Sequence, residues 1–235
     1  MCLGELNNDN FISGSSDGSI KIWEFESRNC VETLYGHFDA VTALIIIKKN
    51  NLIISGSDDN TLKIWSIESM CCIGTLIGHS SHVCSLVELK NGYIASGSND
   101  TFINVWDIET KTCIKKLKGS GNLVMSLVEL KNGELISASG NSIQVWNMET
   151  NNCVAILTEH KFCIQCLVEL KNGFVLSGSV DGHIKIWNMS CRICVSTIEV
   201  ENSIYIILCL LELQNGNLAC GSSDNSIKIL KKSIN

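Results

Sequence analysis

The sequence predicts an all-β chain assembled from six copies of one four-stranded unit, the last copy lacking its outer strand. Three observations predict it. The five tryptophans, at 23, 65, 106, 146 and 187, are spaced by 42, 41, 40 and 41 residues. Cys30, Cys72, Cys113, Cys153 and Cys194 keep the same beat, each following its tryptophan by seven residues. The segment Leu-Val-Glu-Leu-Lys-Asn-Gly begins at Leu86, Leu127 and Leu167, and residues 210–216 carry a fourth, near-identical copy. A sixth unit ends at Leu230, which stands in the tryptophan position 43 residues after Trp187. A period near 40 residues marks a stacked repeat.

The third unit shows how each copy is built. Residues 83–89 are rich in β-formers, and Asn91-Gly92 follows, a dipeptide suited to a type I′ hairpin with positive φ at both central positions. Residues 93–98, small and apolar, form the second strand, and Asn99-Asp100 turns the chain. Residues 102–106 alternate apolar and polar with the period of two expected of a half-covered strand. Thr110-Lys111 turns again, and residues 113–117 make the fourth strand. One such sheet cannot cover its own two faces, so the copies must stack around an axis as the blades of a β-propeller. The blades run over 1–35, 36–77, 78–118, 119–158, 159–199 and 200–235, read as a single domain.

Composition narrows the function. A hydrophobic fraction of 45% with 18% charged residues and a net charge of −6 describes a globular chain, not a disordered one. A pI near 5.4, with Arg28 and Arg192 the only arginines, argues against a nucleic-acid partner. The first residues show no basic region followed by an apolar one, and the longest apolar stretch, 204–211, is far short of the about 20 residues that span a bilayer. No membrane partner is expected, and the location read from this is cytoplasmic, with the nucleus as the alternative. The thirteen cysteines are then expected as free, buried thiols in a reducing compartment.

Gly36-His37, Gly78-His79 and Glu159-His160 precede first strands; Ser55-Gly56-Ser57-Asp58-Asp59 and Ser177-Gly178-Ser179-Val180-Asp181 end second strands; Trp106-Asp107 closes a third strand. On these residues the sequence resembles the WD40-repeat β-propeller family over essentially its whole length. The resemblance implies a hydrogen-bonded tetrad in each regular blade: His37, Ser55, Asp59 and Trp65 in the second; His79, Ser96, Asp100 and Trp106 in the third; His160, Ser177, Asp181 and Trp187 in the fifth. Blade four departs, with Ser120 in the histidine position and the aspartate deleted. Blade six keeps Asp224 but has Leu230 for the tryptophan and no histidine.

The ends carry their own expectation. Residues 1–6 align without gaps to 208–213, giving six first, second and third strands but five fourth strands. The strand at 226–230 is then an outer edge, guarded by Lys228, Lys231 and Lys232. Two readings stand: a six-bladed ring with an unlatched last blade, or a piece of a longer, commonly seven-bladed, protein.

Several chemical motifs are read as decoys. Gly14-Ser15-Ser16-Asp17-Gly18 fits a G-x-S-x-G nucleophile elbow, which needs a strand-to-helix turn, whereas here it joins two strands. Cys163-Ile-Gln-Cys166 and Cys191-Arg-Ile-Cys194 resemble halves of a zinc site, but the register sets Cys166 and Cys194 on opposite edges of one blade, so no metal is expected. His82 and His183 are read as exposed turn residues. No cofactor and no enzymatic activity are expected.

The family resemblance implies a rigid platform for a protein or peptide partner, with the binding face built at the start of each first strand and before the turn aspartate. By position these residues are Ala40, Thr42, Asp58, His82, Cys84, Asn99, Leu123, Met125, Cys163, Gln165 and Val180, and, less securely, Ile206, Leu208 and Ser223. Leu123, Met125, Val180, Ile206 and Leu208 make the later blades apolar there. The alternatives are the substrate receptor of a ubiquitin ligase or a truncated fragment of a larger WD40-repeat protein. No Trp-Asp-x-Arg occurs, and two arginines cannot form a phosphate-reading ring.

Overall fold

The computed structural model describes residues 2–6, 10–200 and 205–231; Met1 and Lys232 lie outside them. Among the described residues the chain is all-β, in six propeller blades, with one short 3₁₀ turn at Lys48–Asn50. It divides into two compact units, Met1–Lys118 and Gly119–Asn235, three blades in each.

In the first unit, blade one is β1 (Cys2–Glu5), β2 (Asn10–Gly14), β3 (Ile20–Glu24) and β4 (Cys30–Leu34). Blade two is β5 (Val41–Ile47), β6 (Leu52–Ser57), β7 (Thr61–Ser66) and β8 (Cys71–Ile77). Blade three is β9 (Val83–Glu88), β10 (Ile94–Ser98), β11 (Phe102–Asp107) and β12 (Thr112–Lys118). In the second unit, blade four is β13 (Val124–Glu129), β14 (Leu135–Ser139), β15 (Ser142–Asn147) and β16 (Asn152–Thr158). Blade five is β17 (Ile164–Glu169), β18 (Val175–Ser179), β19 (His183–Asn188) and β20 (Ile193–Glu199). Blade six has three strands among the described residues, β21 (Ile207–Glu212), β22 (Leu218–Ser222) and β23 (Ile227–Leu230). Every sheet is antiparallel and strands neighbour in chain order, which connections of two to five residues permit.

Stacking supplies the burial that a lone sheet lacks. Ile12, Ile20 and Ile22 of blade one meet Val41, Leu44, Ile53 and Trp65 of blade two in one buried cluster. In the second unit, Leu176, Ile184 and Ile186 of blade five meet Ile207, Leu218 and Cys220 of blade six. Glycines in the Ser-Gly-Ser runs permit this approach within each unit. A Cβ on Gly56 would come within 2.6 Å of Val83, and one on Gly178 within 2.4 Å of Ile207.

Three expectations need correction. The Asn-Gly hairpins are not type I′. Only the glycines Gly92, Gly133, Gly173 and Gly216 have positive φ, each donating its amide back to the leucine three residues before, at 2.7–2.9 Å. The asparagine serves instead through its side chain: Asn91 Oδ1 accepts from the Tyr93 amide at 3.1 Å, and Asn132, Asn172 and Asn215 repeat the bond.

The thiols are free but not buried: eight of the thirteen are exposed, Cys163 and Cys191 among them, and only Cys220 is fully enclosed. Four of the exposed thiols, Cys30, Cys72, Cys113 and Cys153, sit on outer strands opposite their tryptophans, where a β-bulge slips the ladder by one residue; Cys194 takes the same place but is half-buried. His183 is not a turn residue but opens β19, with its ring Nδ1 2.7 Å from the Asp181 carbonyl oxygen.

One turn carries strain. Gly18, Asn60, Gly182 and Asn225 hold φ between 63° and 81° after the turn aspartate, and in blade three Thr101 takes φ 75°. A β-branched residue there is a steric outlier. Thr101→Asn is expected to raise unfolding stability by about 1 kcal/mol. A urea titration showing no gain would remove the strain argument.

Candidate functional site

Two kinds of site residue come together in each regular blade, one inside the sheet and one at its end. Inside, Trp65 Nε1–H donates to Ser55 Oγ at 2.8 Å, Ser55 Oγ lies 2.7 Å from His37 Nε2, and His37 Nδ1 lies 2.7 Å from Asp59 Oδ2. Blade three repeats the chain through Trp106, Ser96, His79 and Asp100, and blade five through Trp187, Ser177, His160 and Asp181, all at 2.7–2.8 Å.

The proton positions follow from the partners. A carboxylate only accepts, so Nδ1 carries the proton; the serine hydroxyl then donates to Nε2 and accepts from the indole. Burial pushes His37, His79 and His160 below their usual range, against the opposing pull of the carboxylates. At Asp59 burial works against ionisation, but hydrogen bonds from Thr61, His37 and the Phe38 amide outweigh it and hold the group at about 2. Asp100 and Asp181 are lowered in the same way.

This is the hydrogen-bond order of a hydrolytic Ser-His-Asp triad, yet it cannot act as one. Ser55, Ser96 and Ser177 are fully buried, and each oxygen is already engaged by an indole N–H. A nucleophile must be reachable by its substrate. The other blades keep parts of the chain. Trp23 donates to Ser13 at 2.8 Å and Trp146 to Ser137 at 2.9 Å. In blade four Ser120 Oγ lies 3.4 Å from Ser139 Oγ, so a neutral contact stands where the histidine would be. In blade six Asp224 is held by Ser226 at 2.6 Å and by Lys228 at 3.3 Å.

At the blade ends, the residues proposed for partner contact are joined in pairs. The amides of Asp58, Asn99, Val180 and Ser223 donate to the carbonyls of Ala40, His82, Cys163 and Ile206, at 2.9–3.0 Å. Thr42, Cys84, Met125, Gln165 and Leu208 are each the extra residue of a β-bulge in the first strand. A bulge re-aims a side chain that regular pleating would bury.

The two units differ in what they display there. In the first the set is polar. His82 Nδ1 lies 3.2 Å from Asp58 Oδ1, so His82 is not isolated, and the Cys84 thiol donates to Asn99 Oδ1 at 3.1 Å. Burial, with the Asp58 charge, pushes Cys84 up to about 11, which leaves an unreactive thiol. The Thr42 hydroxyl is spent internally on the carbonyls of Val83 and Gly56.

In the second unit the set is apolar: Leu123 and Leu208 are 44% and 49% exposed, and Met125, Val180 and Ile206 are half-buried. Cys163 is exposed and Gln165 half-buried. Sequence reasoning passed over Phe162, 59% exposed beside Cys163, and Phe38, 95% exposed beside His37. The available signal was an aromatic residue inside a loop that precedes a first strand.

The decoy motifs fall within the repeat. Gly14 ends β2, and the chain turns directly into β3. Cys166 lies on β17 and Cys194 on β20, the two edges of blade five. Among the described residues no helix is long and apolar enough to cross a membrane.

Comparison with known proteins places this architecture. The crystal structure of the WD40 beta propeller domain of Doa1 matches with a TM-score of 0.86 at 24% identity, covering 98% of this chain and 77% of that one. A pre-mRNA-splicing factor, PRP46 of Candida albicans (strain SC5314 / ATCC MYA-2876), is 36% identical over 50 residues, which take in 21% of this chain and 13% of that protein. The family model for the WD domain, G-beta repeat, matches residues 2–24, 28–66, 70–107, 111–147 and 151–188, well over half of the sequence. The chain belongs to the WD40-repeat family.

Proposed function

We propose that the chain is a non-catalytic interaction scaffold that binds a protein or peptide partner at the ends of its first strands. The general role of WD40 propellers as protein-interaction platforms supports this reading. The observation that carries it is the apolar set Leu123, Met125, Val180, Ile206 and Leu208 at the strand ends of the second unit, of which Met125 and Leu208 are bulge residues. Apolar side chains ringed by polar turns are what a buried anchor on a partner requires.

The three Ser-His-Asp chains are read as structural, so no turnover is expected from them. Nucleic acid, membrane and metal are not part of the proposed partnership. The proposed location is cytoplasmic, with the nucleus as the alternative, which the short stretch shared with a splicing factor supports.

The test is an affinity capture from source-cell extract, comparing the native chain with a Leu123→Glu, Met125→Glu, Val180→Glu variant shown by circular dichroism to be folded. A protein held by the native chain and weakened at least about tenfold by the variant is the expected result. Recovery of the same set by both would move binding away from this face.

A further inference from the structure

Trp187 shares a buried cluster with Leu130, Val145 and Leu157, and Ala155 packs against it. Trp106 rests in the same way with Ile47, Ile64 and Leu76, and Trp65 with Leu6, Ile22 and Leu34. Each tryptophan therefore fills a fixed niche on the preceding blade. One blade further along, the residues matching Leu130, Val145, Ala155 and Leu157 are Leu170, Ile186, Ser196 and Ile198. All four line a cavity of about 150 Å³, which Leu218 and Leu230 also border. Leu230 occupies the tryptophan position, so this cavity is the room an indole takes up elsewhere. Its usual acceptor is missing as well: the five tryptophans donate to Ser13, Ser55, Ser96, Ser137 and Ser177, and the sixth place is the buried Cys220.

We propose that this cavity is a binding site for a small planar aromatic group of the indole class. Its size suits a single aromatic ring system and is well below the space a drug-sized ligand needs. Its aliphatic walls match a ring face, and its rim reaches solvent through Asn172, Ser196 and Lys231, all exposed. An indole N–H must find an acceptor when buried. Glu212, which also lines the cavity, has lone pairs beyond the one that takes the Lys171 amide at 2.7 Å. The group can arrive as a free heterocycle or as the tryptophan side chain of a partner peptide.

The full chain would be titrated with indole and, separately, with N-acetyltryptophanamide, following Ile and Leu methyl resonances. Shifts centred on Ile186, Ile198, Leu218 and Leu230, saturating with a dissociation constant of about 1 mM or tighter, are expected. A response to indole alone assigns the site to a free heterocycle, and a response to both assigns it to a side chain. Leu230→Trp with Cys220→Ser restores the ring from within and is expected to raise the melting temperature while abolishing the response. Should that variant fail to fold, Ser196→Trp, on the exposed outer strand, blocks the mouth instead. No shift of these methyls in the native chain, or an undiminished response in a folded variant, would overturn the proposal.

Discussion

Replacing Trp65 with alanine is expected to cost about 3–5 kcal/mol, and the same change at Trp23 roughly half of that. Both indoles donate to a serine at 2.8 Å, so the hydrogen bond does not separate them. Packing does. Trp65 is 1% exposed and closes the cluster of Leu6, Ile22 and Leu34, with its ring edge so close to Gly36 that a Cβ there would come within 2.9 Å. Trp23 is half-buried: it stacks on Phe11 at 6.0 Å and borders an open concavity with the exposed Phe25. Removing Trp65 deletes contacts on all sides and leaves a void; removing Trp23 deletes contacts on one side and lets water in. Urea unfolding of the two variants measures the difference. Equal losses would mean that the shared hydrogen bond, not the burial, sets the worth of the tryptophan.

The repeat makes most of the fold readable in the sequence. A period near 41 residues fixes the blade, and alternation within it fixes which strand faces are covered. The irregular sixth blade, three-stranded among the described residues, was legible too, because Leu230 falls in the tryptophan place. Local backbone chemistry was less legible. Asn91-Gly92 is compatible with two turn geometries, and the choice between them rests on whether the asparagine side chain or its backbone does the bonding. Cysteine position was legible but cysteine exposure was not. A bulge between third and fourth strands accompanies the exposed Cys30, Cys72, Cys113 and Cys153, and no composition rule marks a bulge. The niche left by Leu230 was hidden for a further reason: its volume depends on Ile186 and Ile198 of the preceding blade.

Acidification is expected to unfold the chain in two stages, the first within the range where histidine titrates. His37, His79 and His160 have folded-state values below the ordinary 6.5 because burial disfavours the charged ring. As pH falls through 6.5 the unfolded chain therefore takes up protons that the folded chain refuses, and stability falls with pH. The second stage belongs to the carboxylates: with Asp59 at about 2 against an ordinary 3.8, stability present above 3.8 is lost as pH drops toward 2. Melting temperatures measured from about pH 7.5 to 3 should fall first below pH 6.5 and again below 4. A melting temperature that rose on passing below 6.5 would instead mean raised histidine values and charged His–Asp pairs. The hydrogen bonds make the neutral ring the stable form. A protonated ring would turn Nε2 into a donor, and the serine hydroxyl would need a new acceptor. In blade three the Asn104 carbonyl stands 3.4 Å from Ser96 Oγ, a long bond in exchange for one of 2.7 Å. Each histidine replaced singly by asparagine should therefore flatten the first stage by about one proton's worth of slope.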